Sequence, residues 1–99
     1  MSYLMRKFLT AYIEWVDAGA PEGKPFCRGY GLCPNKYRLP DTAWADAREL
    51  AQELAGMFVQ GGLEMPYPFG QDAYDRDSYH DLHHLHQPRI DWVRKQLAA

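Results

Sequence analysis

The stretch DTAWADARELAQELAGMFVQGG, Asp41 to Gly62, sets the fold class. Trp44, Ala47, Ala51, Leu54 and Phe58 recur at spacings of three and four, with Leu50 and Met57 widening the stripe. That is the period of an amphipathic helix, not of a strand. Asp46, Arg48, Glu49, Gln52 and Glu53 cover most of the other side, a solvated face. Asp41 is a good N-cap, because its short carboxylate accepts an orphan backbone N–H. Gly61-Gly62 supplies the stop, so the spacing predicts a helix over about 41–59.

Working outward, Leu4, Met5, Phe8, Leu9, Tyr12, Ile13, Trp15 and Val16 repeat the same pattern, with Arg6, Lys7, Glu14 and Asp17 mostly between them. A helix is expected over about 2–18, capped by Ser2 and ended by Ala18, Gly19 and Pro21. At the other end Ile90, Trp92, Val93 and Leu97 give an apolar face, Pro88 suits a first turn, and Arg94 and Lys95 favour the C-terminal dipole. This third helix is predicted over about 88–97. Each helix presents one apolar stripe and a short chain builds one core, so Trp15, Trp44, Phe58 and Trp92 are expected to meet.

The two connections are long. Residues 19–40 hold Gly19, Pro21, Gly23, Pro25, Gly29, Gly31, Pro34 and Pro40, which exclude regular periodicity. They also carry Phe26, Cys27, Tyr30, Leu32, Cys33, Tyr37 and Leu39, too many groups that gain by burial for a solvated linker. Residues 60–86 open with Gly-Gly, continue through Met65-Pro66-Tyr67-Pro68-Phe69-Gly70 and turn acidic, with room for a short helix near 79–85. The expected fold is therefore mainly α, a single domain over 1–99, with three helices wrapped by two long aromatic, Pro/Gly-rich loops.

Composition excludes several classes. Ninety-nine residues leave no room for a second folding unit, and 46% apolar against 24% charged residues is an ordinary globular balance. A formal charge of −2 lacks the basic excess that direct nucleic-acid binding draws on. The longest uncharged stretch near the start, Phe8 to Ile13, is far short of the roughly 20 apolar residues of a membrane span. Two cysteines and no apolar leader point to the cytoplasm, not to a secreted disulfide scaffold.

Cys27 and Cys33, together with His80, His83, His84 and His86, have the donor count of a Cys2His2 zinc site. The C-x5-C interval is looser than the two to four residues usual in zinc knuckles. The cysteines then read as small buried hydrophobes, and no cofactor is expected. A cysteine nucleophile with a histidine base would need a shaped pocket, which three short helices scarcely provide, so no enzyme activity is expected. Gly29-Tyr30-Gly31 lacks the strand and the further glycine of a dinucleotide fingerprint. Asp72, Asp75 and Asp77 lack the alternation, central glycine and terminal Glu of a calcium loop.

Charge is unevenly placed. Residues 21–40 carry Lys24, Arg28, Lys36 and Arg38 against Glu22, a balance of +3. Residues 64–81 carry Glu64, Asp72, Asp75, Asp77 and Asp81 against Arg76, a balance of −4. Tyr67, Tyr74 and Tyr79 sit among these carboxylates. Aromatic anchors bring contact area at small entropic cost, and carboxylates steer a cationic partner. The expected partner-binding set is Tyr67, Asp72, Tyr74, Asp75, Asp77, Tyr79 and Asp81, directed at a basic surface on a protein or ribonucleoprotein.

Phe8-Leu9-Thr10-Ala11-Tyr12-Ile13-Glu14-Trp15-Val16, Gly31-Leu32-Cys33, Tyr67-Pro68-Phe69-Gly70 and Pro88-Arg89-Ile90-Asp91-Trp92-Val93-Arg94 resemble segments of small accessory proteins of tailed bacteriophages. The resemblance implies a protein that binds and blocks a host machine in the host cytoplasm, including the CRISPR surveillance complexes that anti-CRISPR proteins target. The expected function is a non-enzymatic inhibitor of a host nucleic-acid-handling complex, acting through the acidic aromatic loop. The alternative is a small zinc-stapled interaction domain built on Cys27, Cys33 and the histidines of 80–86.

Overall fold

A computed structural model describes residues 1–20, 26, 34, 38–63 and 87–99. Among these residues the chain is mainly helical and forms no strand. The helices are α1 (Tyr3–Asp17), α2 (Trp44–Gln60) and α3 (Gln87–Ala98). All three contribute to one apolar cluster, and α1 makes its most extensive helix contact with α3.

Helix α1 follows the sequence pattern closely. Ser2 is extended and its Oγ accepts from the Met5 N–H at 3.2 Å, the predicted cap. Met5, Phe8, Leu9, Tyr12 and Trp15 are buried along one stripe. The chain leaves α1 through Ala18 and Gly19, where the Gly19 N–H donates to Val16 O and the Ala20 N–H to Trp15 O. That paired bonding satisfies carbonyls the helix end would otherwise orphan, and it needs a left-handed residue at its turn. Gly19 supplies it at φ 93°, and Ala20 also lies at positive φ, 48°.

Helix α2 ends in the same way. The Gly62 N–H donates to Val59 O at 3.2 Å and the Leu63 N–H to Phe58 O at 2.8 Å, with Gly62 at φ 64°. Leu63 and Phe58 are both in the core, the apolar contact that accompanies this cap. The start of α2 differs from expectation. Asp41 does not cap it. A turn closed by the Thr42 N–H on Leu39 O occupies this position, and the N-cap is Ala43, with no side-chain hydrogen bond.

The buried stripe of α2 is narrower than its apolar pattern. Its buried residues are Ala47, Leu50, Leu54 and Phe58. At 100° per residue Trp44 lies about 75° from the centre of that stripe, and it occupies the first helical position. Trp44 is 66% exposed, so the expected four-ring core is corrected. Trp15 and Phe58 enter the cluster and Trp92 packs against it, but Trp44 does not join them.

The ring hub comes from outside the helices. Phe26 is fully buried, with ring centroids 5.3 Å from Phe8, 5.4 Å from Tyr12 and 6.0 Å from Trp15. Arg38 donates from Nε to Phe26 O at 2.6 Å and lies 4.3 Å over its ring. Leu39 is also buried. Across the core Phe58 meets Trp92 edge-on at 5.5 Å.

Arg89 is the one charged residue buried among the described residues. Its Nε donates to Leu63 O at 2.7 Å, and its guanidinium lies 4.5 Å over the Phe58 ring. A buried arginine needs such partners. The contact ties the exit of α2 to the first turn of α3, where Pro88 sits as expected.

Candidate functional site

The predicted partner-binding residues Tyr67, Asp72, Tyr74, Asp75, Asp77, Tyr79 and Asp81 lie outside the described residues. So do Cys27, Cys33, His80, His83, His84, His86 and the short helix expected near 79–85. Among the described residues no three His, Cys, Asp or Glu gather as a metal site. No described helix is long and apolar enough to cross a membrane.

The described surface carries two polar arrangements of different kinds. The first is satisfied within the fold. Arg94 on α3 reaches the last residue of α1, with Nη2 donating to Asp17 Oδ1 at 2.7 Å and Nη1 to Oδ2 at 3.4 Å. The hydrogen bond from Arg94 holds the Asp17 carboxyl below the ordinary aspartate range, outweighing the opposing effect of desolvation, and the charge itself adds to the lowering. The same bond raises Arg94 further, so it stays cationic. Asp17 alone would oppose the negative C-terminal dipole of α1, and Arg94 brings a cation to that end. Arg6 likewise donates to Leu97 O at 3.3 Å, near the end of α3.

The second is an open groove of about 290 Å³ between the first turn of α1 and α2, lined by Ser2, Tyr3, Leu4, Asp46, Glu49, Leu50 and Glu53. Leu4 and Leu50 give it an apolar base, since Leu50 is buried and Leu4 half-buried. Tyr3 stands at its edge, 79% exposed. Asp46, Glu49 and Glu53 form its α2 wall, and none of them makes an ion pair or hydrogen bond within the described residues. On the far side of Tyr3 the outer face of α1 presents Arg6, Lys7 and Glu14.

Sequence reasoning placed Asp46, Glu49 and Glu53 on a solvated face and stopped there. The available signal was their spacing. Steps of three and four put all three carboxylates on one side of a helix, next to Leu50. What the sequence did not reveal was that the start of α1, with Tyr3 and Leu4, closes the other side.

No protein-family model, no curated protein and no solved structure matches this chain.

Proposed function

We propose that this chain is a non-enzymatic, phage-type binding protein that acts in the host cytoplasm and inhibits a host nucleic-acid-handling complex, with anti-CRISPR activity its most concrete form. The observation that carries the reading is the −4 balance packed between Glu64 and Asp81 together with Tyr67, Tyr74 and Tyr79. In this reading the stretches 19–40 and 60–86 wrap the helical core, and the second presents its carboxylates outward. A Lys/Arg channel built for phosphate attracts the same carboxylates, and occupying it excludes nucleic acid. The tyrosines hold the complex once formed.

The test is a competition gel shift in which the chain is titrated into RNA-guided surveillance complexes of several CRISPR types with their DNA targets. Loss of DNA binding, relieved in the D72N/D75N/D77N variant, is the expected result. DNA binding unchanged across the whole panel contradicts the reading. Loss of helical circular dichroism on treatment with a strong chelator favours instead the zinc-stapled domain of Cys27, Cys33 and the 80–86 histidines.

A further inference from the structure

We propose that the groove between the first turn of α1 and the Asp46-Glu49-Glu53 wall of α2 is a docking site for a cationic amphipathic segment of a partner protein, one that sets Lys or Arg beside an aliphatic anchor. The residues that line the groove are not those of the Glu64–Asp81 stretch, and the proposal goes beyond the function proposed above. Three features select this occupant.

The first is charge complementarity left open. Asp46 belongs in the first turn of a helix, where a carboxylate meets the positive end of the dipole. Glu49 and Glu53 have no such reason. They stand four apart on one face, an arrangement of like charges that weakens an isolated helix. Neither finds a cation within the described residues. By contrast, Asp17 is matched by Arg94.

The second is the shape of that charge. The three carboxylates extend along roughly 10 Å of α2, seven residues at 1.5 Å each. They do not converge as a metal site, and a phosphate-bearing ligand would be repelled. Cationic side chains spaced about 5–7 Å apart, as one turn apart on a helix or at alternate positions of an extended segment, match the wall.

The third is the apolar base. Leu4 and Leu50 line the bottom of the groove, and Tyr3 offers an aromatic ring at its lip. An aliphatic anchor seated there is desolvated, and the rim carboxylates then orient it and speed its arrival. An open groove of this kind suits a peptide side chain better than a small molecule, which needs burial on most of its surface.

The test uses the full chain, labelled with 15N, titrated with a synthetic amphipathic Lys/Leu peptide and with its Glu/Leu counterpart at low and high salt. The expected result is saturable chemical-shift change at Tyr3, Leu4 and Leu50 with the Lys/Leu peptide only. Affinity should fall roughly tenfold in the D46N/E49Q/E53Q variant, as three screened charge pairs predict, with helical circular dichroism unchanged. Tyr3→Ala should weaken binding at both salt concentrations. D72N/D75N/D77N should leave the groove shifts intact, which separates this site from the acidic segment. Shifts absent from the groove, equal binding of the Glu/Leu peptide, or undiminished affinity in the triple variant overturns the proposal. Self-association that moves Tyr3 and Leu50 without peptide, seen by sedimentation, assigns the groove to a second copy and likewise overturns it.

Discussion

Helices α1 and α2 end alike and begin differently, and they handle charge in opposite ways. Both close on a left-handed glycine with the same pair of backbone hydrogen bonds. Only α1 has a side-chain cap, from Ser2. At the C-terminal end of α1 Asp17 is matched by Arg94, while the acidic wall of α2 has no ion-pair partner among the described residues. The difference sets a helix end whose charge is matched within the fold against a helix face whose carboxylates stand open to solvent.

Removing a ring from each region should give the largest contrast between them. Phe26→Ala takes away the hub that touches Phe8, Tyr12 and Trp15, and it should cost about 3–5 kcal/mol in denaturant unfolding, a large part of a small domain's stability. Trp44→Ala on α2 should cost about 1 kcal/mol or less, since the side chain is mostly in solvent. A loss at Trp44 comparable to that at Phe26 would return Trp44 to the core and undo the phase of α2.

The caps sharpen it at a smaller scale. Ser2→Ala should destabilise by about 1 kcal/mol by removing an accepted N–H, and Ala43→Ser should stabilise by about 0.5–1 kcal/mol by adding what α2 lacks. Thermal unfolding of the two variants beside the parent reads both. Equal and negligible shifts would mean that neither helix start limits stability.

The smallest effect is the exposed pair. A carboxyl held below its unfolded value stabilises the fold above the unfolded pKa, and that contribution is lost as pH falls through the folded value. Arg94 remains charged throughout. Asp17→Asn should therefore be slightly less stable than the parent at neutral pH, and the two should converge below the ordinary aspartate range, near pH 4 and lower. A gap that persists in acid would place the role of Asp17 outside its charge.

The sequence made α1 legible because three local signals agreed there: a capping serine, a stripe of eight apolar residues and a glycine stop. In α2 two plausible signals misled. Asp41 is a competent cap, but the Leu39–Thr42 turn uses that stretch and delays the helix to Trp44. Trp44 then looked like the first member of the stripe because a step of three leads from it to Ala47, yet it lies about 75° from the centre of the buried face. Arg89 was invisible for another reason. Its burial depends on Leu63 O and the Phe58 ring, contacts remote in sequence. The groove was half legible, its acidic wall written in the spacing of α2 and its other wall supplied by a helix some forty residues earlier.

Under the proposed function this chain works by presenting carboxylates and aromatic rings to a basic surface. Stopped-flow association with an inhibited surveillance complex, measured at two salt concentrations for the parent, D72N/D75N/D77N and Tyr74→Ala, tests it most directly. The expected result is slower association with a weaker salt dependence for the Asn variant, and faster dissociation with unchanged association for Tyr74→Ala. Identical rates for all three proteins, with inhibition intact, would contradict it.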